Sequence, residues 1–326
     1  MQKEHTIIVG AGPCGMSAAI ELQKMGIQPL LIEKGNVVNS IYHYPTHQTF
    51  FSSSEKLEIG DVAFITEKKK PVRNQALAYY RTVAARKQLR INSFERVESV
   101  NKQNNHFVIT TKNHFNENKQ YEANNVIVAT GYYDHPNRLG IKGEQLSKVH
   151  HYFKEAHPYF DKDVVVIGGK NSAVDATLEL HKAGARITVL YRGGDYSKSV
   201  KPWILPEFEA LARKELINME FNANLLEITE DAVVYQVNGE KKQVKNDFVF
   251  AMIGYHPDHN FLTGMGVTFD NITGRPSYNE QTMETNIENI YVAGVIAAGY
   301  DNNGIFIENG RFHGGLIADC IASKNN

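Results

Sequence analysis

The segment Gly10-Ala11-Gly12-Pro13-Cys14-Gly15 constrains this chain more than any other, because its glycines fit a strand-to-helix turn that binds a dinucleotide. The apolar run Thr6 to Val9 leads into the turn as a buried strand, and Met16 to Met25 leads out as an amphipathic helix. A second strand, Pro29 to Ile32, ends at Glu33, about 20 residues beyond the loop, where such folds place the carboxylate that accepts from both ribose hydroxyls. Gly10 permits the tight turn, Gly12 lets backbone approach a pyrophosphate, and Gly15 lets helix and strand pack closely. The helix N-terminus adds unpaired N–H groups that face the phosphates.

The unit occurs twice. Asp163 to Arg192 aligns with His5 to Lys34 without a gap, with Gly168 on Gly10, Ala176 on Ala18, Leu180 on Leu22, Lys182 on Lys24 and Gly184 on Gly26. Spacing this regular predicts two strand–helix–strand units and two dinucleotide sites. The differences assign preferences. Glu33 corresponds to Tyr191 and Lys34 to Arg192, with Lys198 and Lys201 shortly after. Loss of the carboxylate removes repulsion toward a 2′-phosphate, and the Arg192 fork holds one bidentately, so the second site is expected to prefer NADP over NAD. Solvated loop charge is the competing account of Arg192, Lys198 and Lys201. Lys170 replaces Gly12 in the motif Gly168-Gly169-Lys170-Asn171-Ser172, which predicts a more open site with an ammonium near the phosphates. Ser172 replaces Cys14, so the thiol belongs to the first copy alone.

With 326 residues the chain is long enough for two domains. A net charge of −1 without a long basic block argues against nucleic acid as a partner. No apolar run approaches the roughly 18 residues of a membrane span, and Met1 to His5 is polar, so a cytoplasmic protein with no membrane partner is expected. Cys14 and Cys320 supply no C-x-x-C pair and no metal cage, so any thiol chemistry uses one cysteine at a time. His43 and His47 are separated by Pro45, which opposes a shared helical face, and adjacent His150 and His151 point apart, so no metal site is expected.

A loop from Asn36 to Phe51, rich in Tyr, His, Asn and Thr, is suited to cover a flat aromatic ring; a surface loop with core aromatics is the alternative. Arg73 to Leu89 reads as a helix, and Phe94 to Val100 with Phe107 to Thr111 as a meander. The strand Val126 to Ala129 ends at Thr130-Gly131, where the chain crosses to a second domain, and Phe248 to Met252 ends at the return crossing. Asn289 to Ala293, Gly294-Val295 and a helix from about Asn303 to Ala322 complete the first domain. The fold class is α/β: two Rossmann-like, three-layer ββα dinucleotide-binding domains, one inserted in the other. The expected boundaries are 1–155 and 259–326 for the first domain and 156–258 for the second.

The crossing Ala129-Thr130-Gly131 and the inserted domain resemble the pyridine nucleotide-disulfide oxidoreductases of the thioredoxin-reductase type. Longer motifs are similar to the bacillithiol disulfide reductases. They are Gly12-Pro13-Cys14-Gly15, the segment Tyr44 to Ser54, Gly168 to Ala173, Tyr191-Arg192-Gly193-Gly194, Trp203 to Pro206 and Phe306 to Gly314. The resemblance implies FAD in the first site and NADPH in the second, and a small-molecule disulfide as substrate, with a homo-oligomer as a further expectation. It implies FAD contacts from the Gly10 loop, Glu33, Lys34, Thr46, His47, Gln48, Val97, Thr130, Gly131, Gly294 and Val295, and NADPH contacts from Gly168, Gly169, Lys170, Asn171, Ser172 and Arg192. Two departures stand out. The second domain lacks the C-x-x-C of thioredoxin reductases, and Val295 stands where those enzymes carry an acid that holds the ribityl chain.

Cys14 is the redox thiol the resemblance implies: it attacks the disulfide and forms a mixed disulfide, which the reduced flavin resolves. A helix N-terminus lowers a thiol's pKa and a neighbouring pyrophosphate raises it, so the sign of the shift is open at this level, as is a purely packing role. A ferredoxin or flavodoxin reductase passing electrons to a partner protein, and a nucleotide-binding redox sensor, are the alternative functions.

Overall fold

A computed structural model describes residues 1–301 and 304–324. The chain forms two compact units, residues 1–135 with 256–326 and residues 136–255.

The first unit opens with β1 (Gln2–Val9), α1 (Pro13–Lys24) and β2 (Leu30–Glu33), followed by the short helix α2 (Asn39–His43) and by α3 (Arg73–Arg86). Strands β3 (Arg90–Ser93), β4 (Glu95–Gln103), β5 (His106–Asn113) and β6 (Asn118–Val128) come next. In the second unit, β7 (Val149–His150), β8 (Asp163–Ile167), α4 (Asn171–Lys182), β9 (Arg186–Leu190), α5 (Leu205–Arg213) and β10 (Asn218–Glu220) precede an antiparallel meander. The meander is β11 (Asn224–Ile228), β12 (Ala232–Val237) and β13 (Glu240–Lys245), and β14 (Phe248–Ala251) closes the unit. The chain then returns to the first unit through α6 (His259–Gly264), β15 (Ile290–Val292), α7 (Ile307–Gly310) and α8 (His313–Lys324).

In the first unit β3, β2, β1, β6 and β15 run parallel, while β5 and β4 continue from β6 as an antiparallel meander, giving one seven-stranded sheet. Strands buried on both faces read as unbroken apolar runs: Ile7, Ile8, Leu31, Ile127 and Val128 are all closed to solvent. In the second unit β10-β9-β8-β14-β7 form a parallel sheet and the meander is a sheet of its own. The unit starts at Pro136 rather than near residue 156, because β7 pairs in register with β14, Val149 opposite Val249. Residues 136–155 therefore fold with the second sheet, and the second unit ends at Tyr255 rather than at residue 258, within the return crossing expected after Met252.

The repeat persists in three dimensions. Helices α1 and α4 begin and end at positions offset by the same 158 residues, 13 to 171 and 24 to 182. The Gly10 N–H donates to the Ile32 carbonyl at 2.9 Å, and the Gly168 N–H donates to the Leu190 carbonyl at 3.0 Å. Both glycines take positive φ, 107° and 138°, and a Cβ would meet the Ala129 carbonyl oxygen at 2.6 Å in one unit and that of Met252 at 2.4 Å in the other.

The predicted C-terminal helix differs. Its expected start, Asn303, lies outside the described residues, and the remainder is two helices, α7 and α8, separated by Arg311 and Phe312. Gly314 makes the docking of α8 possible, since a Cβ there would lie 2.6 Å from the Ala18 Cα in α1. The expected helix to Leu89 stops at Arg86, because Gln88 takes a left-handed φ of 51°.

A Gly15→Ala substitution places its methyl 2.2 Å from the Gly10 carbonyl oxygen. It is expected to destabilise the first unit by about 2–4 kcal/mol, read as a lower midpoint in urea unfolding.

Candidate functional site

In the first unit Gly12 caps α1 with extended backbone, φ −74° and ψ 175°, and no side chain bonds the first-turn N–H groups. A Cβ on Gly12 would meet nothing within 4 Å, which leaves an open approach to the helix N-terminus. Pro13 takes the first helical position, where its missing N–H leaves no donor unpaired. Glu33 is buried at 6% exposure, with one carboxylate oxygen accepting from the Ala11 N–H and the other from the Gly35 N–H, each at 2.8 Å. Burial raises its pKa while those two N–H bonds oppose the rise, and each oxygen keeps a lone pair for a further donor. Lys34 pairs with Asp134 at 2.8 Å and so fixes the rim rather than offering a free charge.

At the end of β6, Thr130 has a buried hydroxyl without a hydrogen-bond partner among the described residues, and Gly131 (φ 70°) borders open space. A buried orphan hydroxyl beside an uncapped helix and a buried acid fits a dinucleotide that supplies the missing partners. Thr46 and His47 lie exposed on the loop after α2, and Gln48 is held by backbone, its carbonyl accepting from the Arg73 N–H at 2.8 Å. Val97 sits on β4 opposite Thr111, beside a register shift, with its side chain buried. Val295 begins a short 3-10 turn after Gly294.

Cys14 lies in the first turn of α1. A Cβ on Gly294 would come 2.9 Å from its sulfur, and one on Gly310 3.1 Å, so two glycine backbones lie close against the sulfur, although the residue as a whole keeps some exposure. Burial pushes the Cys14 thiol up to about 12, so desolvation favours the protonated sulfur. Cys320, on α8, lies 3.8 Å from the Tyr291 hydroxyl and faces packing rather than the dinucleotide loop.

In the second unit Gly168, Gly169, Lys170, Asn171 and Ser172 form the corresponding turn. Lys170 caps α4 with extended backbone (φ −103°), so a side chain fits without strain where the first unit has glycine. A Cβ on Gly169 would strike the Tyr191 ring at 2.5 Å, and so would one on Gly193, so the tyrosine that replaces Glu33 lies across both glycines. Asn171 ties the basic loop to the helix start, accepting from the Lys201 N–H at 2.9 Å and donating to the Ser199 carbonyl at 3.0 Å. Arg192 is exposed and has no carboxylate partner among the described residues. These features fit a phosphate-bearing nucleotide: an uncapped helix N-terminus with a free guanidinium on the adjoining strand end.

Three neighbours of the first site had no role assigned from sequence, although Arg311 and His313 stand within the motif Phe306 to Gly314. Arg73, only 8% exposed, donates to the Tyr42 carbonyl at the end of α2, and Arg311 donates to the Glu58 carbonyl and at 3.2 Å to that of Glu55. His313 accepts from the Gly294 N–H. Each is an ordinary residue until the fold brings a distant carbonyl or N–H to it. Among the described residues no group of three His, Cys, Asp or Glu is arranged to hold a metal, and no helix is long and apolar enough to cross a membrane.

The profile of the pyridine nucleotide-disulphide oxidoreductase family matches residues 7–294. The chain is 66% identical, over the whole of both sequences, to the bacilliredoxin reductase Bdr of Bacillus subtilis. Its fold superposes on the bacillithiol disulfide reductase Bdr of Bacillus cereus with a TM-score of 0.98 and 66% identity, covering 99% of this chain and 100% of the other. The Staphylococcus aureus Bdr structure gives 0.96 and 62% identity, with full coverage of both chains. FAD and NADPH are the cofactors with which this family works. Two gap-free dinucleotide units, and relatives this similar over their entire length, place the chain in the pyridine nucleotide-disulphide oxidoreductase family, on the branch of the Bdr reductases, as a flavin-dependent disulfide reductase.

Proposed function

We propose that this chain uses NADPH to reduce the disulfide of a low-molecular-weight thiol, bacillithiol disulfide, consuming one NADPH and one proton and releasing two thiols. The observation that carries the reading is the asymmetry of the two repeats: a buried acid, Glu33, ends one, and a free guanidinium, Arg192, follows the other. The first unit is proposed to hold FAD through Gly10, Gly12, Pro13, Gly15, Glu33, Thr130 and Gly131, the second to hold NADPH through Gly168 to Ser172 and Arg192. When bound, the flavin supplies two-electron transfer from the nicotinamide to the disulfide. Glu33 accepts from ribose hydroxyls with its remaining lone pairs, while the Ala11 and Gly35 N–H groups keep its orientation fixed.

In this reading the Cys14 thiolate attacks one sulfur of the substrate. A protein–substrate disulfide forms, the other half leaves as a thiolate, and two electrons then release the second thiol. Burial opposes the thiolate, so the route through Cys14 gains rate as pH rises toward about 12. The relatives' names point to two acceptors, the disulfide of bacillithiol and bacilliredoxin, and the small disulfide is favoured here because both solved Bdr structures carry it in their names. NADPH oxidation measured with bacillithiol disulfide, with oxidised bacilliredoxin, with ferredoxin and with none of them separates a small-molecule reductase from a protein reductase, an electron-transfer reductase and a slow sensor.

Cys14→Ser is expected to lose at least a hundredfold in turnover with bacillithiol disulfide while NADPH still bleaches the flavin at 450 nm in the stopped flow; wild-type turnover would overturn the thiol route. Arg192→Ala is expected to raise KM for NADPH roughly 10- to 100-fold, the worth of a charge-assisted pair, and to leave KM for NADH unchanged. Because Gly12 borders open space, Gly12→Ala is expected to keep its circular dichroism and melting of the ligand-free protein but to weaken FAD binding in a fluorescence titration. A substitution there that left FAD affinity intact would remove the pyrophosphate from this loop.

A further inference from the structure

We infer that His313 is a positioning residue for the Cys14 thiol, acting through the backbone of Gly294. The inference rests on the reading that the first unit holds FAD beside Cys14, and one arm of its test is independent of that reading.

Gly294 ends the β15 segment with a positive φ of 82°, and its backbone forms one wall of the Cys14 pocket. The Ala293 N–H before it is tied to the Val128 carbonyl at 2.9 Å, and the Gly294 carbonyl accepts from the Ala297 N–H at 3.1 Å. The Gly294 N–H has no backbone acceptor in this arrangement; it donates to the imidazole Nδ1 of His313 at 3.1 Å. A side chain on α8 thus completes a turn belonging to a different element.

That bond fixes the chemistry of the ring. Nδ1 must be the acceptor, so the proton of the neutral imidazole sits on Nε2. Burial pushes the His313 pKa down, which keeps the ring neutral and its acceptor available. Gly314, the next residue, is pressed against Ala18, so the first turn of α8 has no room to follow a displaced Gly294. The glycine backbone is thereby held against the sulfur from behind, and the loss of its partner would leave a buried N–H unpaired.

Side-chain geometry supplies the test. In Asn the Oδ1 stands at the same branch position as His Nδ1 and accepts; in Gln the acceptor is one bond too far, and Leu puts a methyl there. The experiment uses the FAD-loaded full chain in a Cys320→Ser background and measures the alkylation rate of Cys14 by iodoacetamide, by mass spectrometry of its peptide, beside FAD dissociation followed by fluorescence. His313→Leu and His313→Gln are expected to alkylate about tenfold faster and to release FAD about tenfold faster, and His313→Asn to match the parent in both. Equal behaviour of Asn and Gln, whether both protected or both loosened, would overturn the inference. If the parent binds no FAD, the cofactor reading fails, and the alkylation arm still decides the role of His313; if Leu does not fold, the Asn–Gln pair decides it alone.

Discussion

The contact on which this structure depends is the approach of a strand-end carbonyl to a glycine that cannot carry a side chain. Gly10 lies against the Ala129 carbonyl and Gly168 against that of Met252, each leaving less than 3 Å for a Cβ. Because the turn passes so close to the neighbouring strand, the following helix starts directly over the carboxyl end of the sheet. Its first N–H groups are then aimed outward without side-chain caps, at both α1 and α4. Everything proposed for the two cofactors follows from this one placement, repeated at the same offset.

The two sites diverge through what ends the second strand. Glu33 turns inward and is held by two N–H groups, so its position is fixed before any ribose arrives. Tyr191 lies flat over Gly169 and Gly193, and the charge moves to the exposed Arg192. A buried acceptor suits neutral hydroxyls, whereas an exposed guanidinium suits a dianionic phosphate that would be costly to bury.

Cys14 shows how the same architecture limits chemistry. The turn that opens α1 also seats the sulfur between Gly294 and Gly310, and burial of the thiol raises its pKa, which favours the protonated form. Reactivity here depends on how tightly those two backbones close, and hence on residues of the C-terminal segment remote in sequence. His313, which accepts the Gly294 N–H, and Arg311, next to Gly310 and bonded to the Glu55 and Glu58 carbonyls, both stand in that segment.

Both dinucleotide units were legible in the sequence because their requirements are local: a glycine spacing, an apolar strand on either side and a terminal acid or base all lie within about 30 residues. The ends of α1 and α4 agree to the residue with the internal repeat, and the crossing expected after Thr130-Gly131 lies beside the observed one at His135, while residues 136–155 were assigned to the wrong unit, since the two-residue strand β7 carries no periodic signal of its own. The break between α7 and α8 was likewise hidden in a run that reads as one helix. Sequence by itself determined where the two glycine-rich strand-to-helix turns lie and which of them bears a thiol. Only the tertiary structure decided that the backbones of Gly294 and Gly310 close on this sulfur, that burial raises its pKa, and that the Gly294 N–H donates to His313, because burial and long-range contacts depend on segments nearly 300 residues apart meeting at one point.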